Sequence, residues 1–330
     1  MTAMILLVSN TQDLTCDFVV RELTNRRMPF ARLNTDEYPL HGRGTVEIDG
    51  KWQRRLIQWD NRERPLDFDS VRAVWFRRPV KPVVDSQVTD AAVREFAINE
   101  SYDFLRGLWY SLNCYWMSSP EAIRRAEHKV FQFGLAAQLG LPLPKTVVSN
   151  DPKEIMNFVQ RCPGEVIVKP LYIGFIDDPR EPRFIYTTQL RDSDLRAIET
   201  ARFAPSVYQE KVEKEFDVRV TVVGERLFAA KIEAPGLPPG IPDWRAAPVD
   251  ELLHSCHELP LEIQEQCVGL VKELNLDFGA IDLAYSERTG YSFLEINANG
   301  QWAWLETELG FPIARAIADR LVEGASGFRP

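Results

Sequence analysis

The chain has little of what several function classes require. Its five cysteines, at 16, 114, 162, 256 and 267, are odd in number, scattered over 330 residues and without a CxxC pair. That spacing suggests neither a disulfide framework nor a structural zinc. Of its four histidines, His254 and His257 flank Cys256 in LLHSCHE, where His-x-x-His could share a helix face as metal ligands; no further pair follows at zinc spacing. Positive charge is also short: 39 Lys and Arg stand against 48 Asp and Glu, a formal net charge of -9. A broad nucleic-acid or anionic-membrane footprint needs clustered cations, so neither partner is expected and any anionic ligand must meet local cations. No apolar run reaches transmembrane length. The opening MTAMILLVSN carries neither a basic region nor a small-residue cleavage site, so the expected location is cytoplasmic. Finally, no GxGxxG follows the first apolar run, which removes the usual dinucleotide cradle.

What is present describes a globular α/β protein. A hydrophobic content of 45% with 11% aromatics supports substantial cores, and the length allows two or three domains. Residues 3–9 read as a buried parallel strand, 13–27 as an amphipathic helix with Phe18, Val19 and Leu23 inward, and 29–34 as a second strand. This β-α-β opening is the unit of an open parallel sheet. Residues 45–59 read as a hairpin turning at Asp49-Gly50, and 71–76 as another buried strand ahead of Arg77-Arg78, a basic pair that either ends a strand in solvent or lines a domain junction. Residues 91–112 form a long helix with Phe96, Tyr102, Leu105 and Leu108 on its apolar face. A first domain is expected over 1–119, a central one over 120–208 and a C-terminal one over 209–330.

Residues 122–139 read as one helix containing Lys129 and closed by Gly140 with prolines at 142 and 144. A strand at 147–149, a helix at 152–161 and a strand at 165–170 follow, with Lys169 ending EVIVKP as either a snorkelling surface lysine or a ligand. The polar loop 174–183 precedes a strand at 184–189; a loop of this kind can cover phosphates, although only Gly174 favours close backbone approach. Residues 206–212 are a strand, and 215–223 alternates with Phe216, Val218, Val220 and Val222 on one face. Asp217, Arg219 and Thr221 share the other, facing either solvent or an anionic ligand. Residues 227–233 pair with it and carry Lys231. The proline-rich loop after them holds Trp244 and Arg245, an aromatic-Arg pair of the kind that binds something. A helix at 259–274 and a last helix at 311–323 complete the order, with 324–330 as a frayed tail.

The chemistry is concentrated in FGAIDLAYSERTGYSFLEINANGQW, residues 278–302. Two strands, 279–285 and 291–296, flank the turn 286–290, so Glu295 and Asn297 share a face and Asp282 on the neighbouring strand can lie beside them. Acids inside the apolar runs GAIDLAY and FLEIN are costly unless paired or metal-bound. Two carboxylates and an amide oxygen suit Mg²⁺, which completes its shell with water and phosphates.

In order, Lys129, Lys169, the connector Gln209-Glu210-Lys211-Val212, Asp217-x-Arg219, Asp282 and Glu295-x-Asn297 resemble the ATP-grasp superfamily over the last two-thirds of the chain. SNTQDLTCDFVV, LNTDEYP, WFRRP and INANGQWAWLE extend the resemblance to the graspetide synthetases, the microviridin ligases among them, with their N-terminal pre-ATP-grasp domain; Ala298 stands where many relatives carry proline. The resemblance implies an ATP-grasp fold, an α/β (α+β) architecture, and ATP with two Mg²⁺ as cofactors. Lys129 and Lys169 would meet the nucleotide phosphates, residues 209–212 and Asp217 would contribute to the nucleotide site, and Asp282, Glu295 and Asn297 would hold metal. Arg219 would stabilise the transferred phosphoryl group, with Lys231 and Arg245 holding the substrate. The implied partner is a ribosomal precursor peptide with a leader and an acidic core; the leader is expected to dock outside the chemistry, and relatives suggest a homodimer. The loop 174–183 and the proline-rich loop holding Trp244 and Arg245 are the candidate lids. The implied reaction makes side-chain macrolactones or macrolactams. A ligase adding free amino acids to a peptide or protein is the alternative, and a nucleotide-binding protein without turnover the third reading.

Overall fold

In the computed structural model the described residues are 4–328 except 62, 173, 177, 179, 182 and 238–240. Parts of both candidate lids, at 177, 179, 182 and 238–240, therefore lie outside the described residues, as do Ala3 of the first expected strand and the last two residues of the expected tail. In chain order the elements are β1 (Met4–Ser9), α1 (Leu14–Asn25), β2 (Phe30–Asn34), β3 (Gly42–Asp49), β4 (Trp52–Trp59), β5 (Leu66–Asp67), β6 (Val71–Phe76), α2 (Ala91–Tyr110) and β7 (Tyr115–Met117). Next come α3 (Pro120–Ala126), α4 (Lys129–Gln138), β8 (Thr146–Ser149), α5 (Pro152–Arg161), β9 (Val166–Lys169), β10 (Phe175–Ile176), β11 (Arg183–Phe184), β12 (Thr188–Gln189), α6 (Asp192–Arg196) and β13 (Ser206–Glu210). The chain ends with β14 (Phe216–Val223), β15 (Arg226–Glu233), β16 (Leu253–Cys256), α7 (Leu261–Glu273), β17 (Phe278–Ser286), β18 (Gly290–Asn297), α8 (Ala303–Leu309) and α9 (Ile313–Gly327). No helix among the described residues is long and apolar enough to cross a membrane.

Contacts divide the chain into two compact units, one of residues 1–120, 301–306 and 312–330, the other of 121–300 and 307–311. The first is built on a parallel sheet in the order β2-β1-β6-β7. Because parallel strands are covered on both faces, ILLV at 5–8 is wholly buried. Leu6, Val8 and Val74 pack with Leu105, Leu108 and Trp109 of α2, while α9 buries Ile313, Ile317 and Leu321. The α2 helix ends at Tyr110 and leaves Phe96 exposed, so Phe96 does not belong to its apolar face. The α9 helix continues to Gly327, and most of the expected tail is thus helical; Gly324 is needed there because a Cβ would meet the Tyr115 ring at 2.0 Å. The β3-β4 hairpin pairs Asp49 with Trp52 and turns on Gly50, at φ +57°, and Lys51, one residue later than Asp49-Gly50.

Arg77 does not end its strand in solvent. It is 1% exposed, its Nε lies 3.6 Å from Asp13 Oδ2, and its Nη2 donates to Gln301 Oε1 at 2.8 Å. Burial pulls its pKa down to about 10, against the pull of Asp13.

The second unit carries an antiparallel sheet β12-β9-β13-β8, the small pair β10-β11, and an antiparallel five-stranded sheet β16-β15-β14-β17-β18. Two departures from the sequence reading matter. The expected helix 122–139 breaks into α3 and α4 at His128, whose backbone is extended, and the buried Gln132 side chain takes the freed Ala126 carbonyl at 2.6 Å. The break places Lys129 at the start of α4 rather than inside a helix. The expected strand 184–189 divides into β11 and β12, pairing respectively with β10 and β9.

Candidate active site

The five-stranded sheet assembles the site through its register. Arg219 of β14 lies opposite Asp282 of β17, which lies opposite Glu295 of β18. Directly opposed residues of antiparallel strands point to one face, so the three side chains converge. Between the Asp282-Glu295 and Leu283-Phe293 pairs the register shifts, leaving Leu294 as the extra residue of a bulge. The bulge carbonyl is not wasted: Lys169 Nζ donates to Leu294 O at 3.3 Å, which brings the end of β9 to the edge of β18.

This face bounds a cavity of about 620 Å³, large enough for a nucleotide-sized ligand. Lys129, Lys169, Gln209, Glu210, Lys211, Val212, Asp217, Arg245, Asp282, Glu295 and Asn297 all line it. The row Asp217, Arg219 and Thr221 is buried, at 4%, 7% and 0% exposure, so neither face of β14 is open to solvent. Two expected residues are not among those lining it: Arg219, which stands behind Asp282 with its Nε 2.9 Å from the carboxylate, and Lys231. Lys231 pairs with Val218, and the alternation puts it on the opposite face of the sheet, over the Phe216 ring at 4.6 Å and 3.0 Å from Glu233. Lys231 is therefore not brought to the cavity.

Charge in the cavity is closely balanced. Lys129 Nζ lies 3.0 Å from Glu295 Oε2, Arg245 Nη1 3.6 Å from Glu295 Oε1, and Arg219 Nε 2.9 Å from Asp282 Oδ1. Burial alone would push the Glu295 carboxyl up, but Lys129, Arg245 and Lys169 outweigh it and hold the group well below the usual carboxylate range. Burial instead wins at Asp282, raising it against the pull of Arg219, with Glu295 adding to the rise. The Lys169 ammonium is pulled down to about 8 by burial, which Glu295 only partly offsets. Asp217 is pushed up to about 6 by burial, with Lys214 Nζ at 2.5 Å opposing.

At the other end, β13 places the connector. Glu210 N–H donates to Lys145 O and Lys211 N–H to Glu165 O, both at 2.8 Å, while the Lys211 ammonium pairs with Glu165 at 2.7 Å. Gln209 is wholly buried; its Nε2 donates to Thr146 Oγ1 at 2.8 Å, and its Oε1 has no hydrogen-bond partner among the described residues. A buried acceptor left over at a cavity wall fits a donor carried by a ligand, such as the amino group of a nucleobase.

Three charged lining residues escaped the sequence reading. Asp243 takes the Arg245 guanidinium bidentately, with both bonds at 2.8 Å, and so fixes the direction in which Arg245 presents its remaining edge. Lys214 donates to both Asp217 and the Pro242 carbonyl, fastening the loop that carries Asp243. Glu127 sits in the gap between α3 and α4, with its pKa raised by burial. Only Lys214 had a sequence signal, its position three residues before Asp217, and that spacing means little outside a helix. The LHSCH segment is no helix: His254 and Cys256 lie in β16, and the His254 ring pairs with Glu308 at 2.5 Å.

No three His, Cys, Asp or Glu side chains converge as a metal-binding group among the described residues. The lining oxygens here are the two carboxylates and the Asn297 amide, whose Oδ1 accepts from Asn299 N–H at 2.9 Å, an all-oxygen donor set that fits Mg²⁺ and not a thiolate- or imidazole-seeking ion.

The chain matches a known family model, the MvdD pre-ATP grasp domain, over residues 4–124. Among solved structures it is similar to a Chryseobacterium gregarium RiPP-associated ATP-grasp ligase in complex with ADP and a leader and core peptide. That likeness has 26% identity and a TM-score of 0.89 over 98% of this chain and 97% of the other. It is also similar to the macrocyclase MdnB from Microcystis aeruginosa MRC, at 30% identity and a TM-score of 0.79, over 98% of this chain and all of the other. A curated relative, a probable alpha-L-glutamate ligase of Pectobacterium carotovorum, is 24% identical over 71% of this chain and 72% of its own length.

Proposed function

The chain belongs to the ATP-grasp ligases of ribosomal peptide maturation, and on that footing we propose that it closes rings between side chains of a precursor peptide at the expense of ATP. The observation that carries this reading is one cavity holding Asp282, Glu295 and Asn297 together with Lys129, Lys169 and Arg245, with Arg219 bound to Asp282. Such a set gathers phosphates, metal and carboxylate in one place.

Each residue has a role its position supports. Lys129 and Lys169 neutralise the nucleotide phosphates, and the connector 209–212 meets the base, with the Gln209 Oε1 acceptor available to an amino group. Asp282, Glu295 and Asn297 would hold two Mg²⁺, which supply further neutralisation of phosphate charge when bound. Glu295 must exchange its present partners for that task, and its strongly depressed pKa keeps it ionised and ready. Arg219, rigid and always charged, is placed to meet charge that spreads over the transferred phosphoryl oxygens.

The reaction proceeds in two displacements. A carboxylate oxygen of a peptide Asp or Glu side chain attacks the γ-phosphorus, and the bond to the bridging oxygen of ADP breaks. A Ser or Thr hydroxyl or a Lys amine of the same peptide then attacks the acyl carbon, the carbon–oxygen bond to phosphate breaks, and the nucleophile's proton leaves. An acidic core needs local cations in a chain of net charge -9, and Arg245, oriented by Asp243, is the one placed to supply them. An acyl phosphate survives only where water is excluded, and among the described residues of the two loops Phe175, Pro242 and Trp244 stand in the cavity wall, where they shield it.

The test is mass spectrometry of a leader-plus-core peptide encoded beside the gene, incubated with the protein, ATP and Mg²⁺. Loss of one water mass per ring supports the proposal, and mild alkali then separates esters from amides. Mass gains equal to added amino acids would move the assignment to the activity named for the glutamate ligase relative.

A further inference from the structure

The β18 strand is the edge of its sheet, and an edge leaves backbone groups unpaired. Here three different elements take them. Phe293 N–H donates to Pro142 O at 2.7 Å, Lys169 meets the Leu294 carbonyl, and at Ile296 the partner is a side chain: Gln132 of α4. The Gln132 Oε1 accepts from Ile296 N–H at 3.2 Å while its Nε2 donates to Ile296 O at 2.9 Å. One primary amide thereby reproduces the two-point pairing of a neighbouring strand. Its second Nε2 hydrogen goes to Ala126 O at 2.6 Å, the carbonyl released where α3 ends.

Gln132 is 2% exposed, and a buried amide that uses both donors and its oxygen is fixed in one orientation. Ile296 lies between Glu295 and Asn297, and Ala126 lies three residues before Lys129. We propose that Gln132 is a positioning residue, clamping the strand that carries Glu295 and Asn297 to the helix break that presents Lys129. Gln132 stands in the cavity wall with its amide spent on backbone groups, so it acts through the residues it holds. Its two-point hold fixes the twist of β18 at Ile296, so that the flanking side chains keep the face and depth at which they meet Asp282. The clamp rests on the reading of Asp282, Glu295 and Asn297 as a Mg²⁺ site.

Gln132→Met keeps length and volume while removing all three hydrogen bonds. The experiment titrates ADP into wild-type and variant protein by calorimetry, at a series of Mg²⁺ concentrations and without Mg²⁺, well below the melting temperature of either. Loss of an outer partner of metal ligands weakens metal affinity by about 10–100-fold, so the Mg²⁺ midpoint for tightened ADP binding is expected to rise by that factor in the variant. Mg²⁺-free ADP affinity should change by less than the Mg²⁺ midpoint does, since only the metal ligands flank the held residue on both sides. A purely structural role would lower the melting temperature and the fraction of binding sites, leaving the midpoint where it is. A wild-type midpoint with an unchanged variant midpoint overturns the clamp alone. Wild-type ADP binding indifferent to Mg²⁺ overturns the metal-site reading, and the clamp with it. Should Gln132→Met fail to accumulate folded, Gln132→Glu, which keeps the length and the oxygen facing Ile296 N–H, replaces it with the same expected direction.

Discussion

Lys169 should make nucleotide binding pH-dependent in a range where an ordinary lysine does nothing. Lys169 is 7% exposed, its ammonium lies 5.4 Å from the centre of the Phe133 ring and donates to the Leu294 carbonyl at 3.3 Å, and burial brings its pKa from 10.5 to about 8. That drop is roughly 3 kcal/mol of unfavourable desolvation at 1.36 kcal/mol per tenfold. A polyphosphate arriving beside the group favours the charged form and lifts its pKa again. The sign follows: the free protein loses the proton above pH 8, the complex holds it, and binding above pH 8 must take a proton up. ADP affinity is therefore flat from pH 7 to about 8, then weakens by up to about tenfold per pH unit until the pKa of the complex is reached. The ligand's own phosphates, with a second pKa near 6, are fully ionised throughout and do not mimic the effect. Calorimetry in buffers of different ionisation enthalpy at pH 8.5 measures the proton uptake directly, and Lys169→Met should bind more weakly yet with no such slope. Equal pH profiles for wild type and Lys169→Met would refute the reasoning.

Other perturbations test other parts of the site and fold. Arg219→Lys leaves a charge but not a fork, and should lower kcat by about 10²–10³-fold with little change in ADP affinity; steady-state kinetics separates the two. Gly300→Ala would put a Cβ 2.2 Å from that of Ala280 and 3.3 Å from Arg219 Nη1, so the loop after β18 must shift, and turnover should fall at full nucleotide occupancy. Asp13→Ala removes the carboxylate facing the buried Arg77, which is expected to destabilise the protein by about 3–5 kcal/mol in denaturant unfolding.

Much of the site could be read from the sequence because its parts follow short-range periodicity. Asp282 and Glu295 interrupt apolar runs in a hairpin, and a two-residue repeat says which neighbours share a face; the Leu294 bulge, which admits Lys169, leaves no such mark. Lys231 shows the limit of that logic. Its face is decided by pairing with Val218 rather than Arg219, a one-residue choice of register that composition does not encode. The continuous helix expected over 122–139 fails for a similar reason. Its apolar spacing is continuous and contains no proline; the carbonyl freed at the break is taken by Gln132, whose other partner, Ile296, is remote in sequence. Asp243 is visible only once the loop has brought it against Arg245. The parallel sheet was plain from ILLV and AVWF, whereas the exposure of Phe96 depends on what covers α2, which periodicity alone does not reveal.

The most direct test of the central claim is the mass of the precursor peptide after incubation with ATP and Mg²⁺, using wild-type protein and Glu295→Gln side by side. The account requires loss of one water mass per ring with wild type, ADP and phosphate formed in equal amount, and an unmodified peptide with Glu295→Gln. A peptide dehydrated to the same extent by both proteins, or left unchanged by wild-type protein that binds ADP and Mg²⁺, would contradict it.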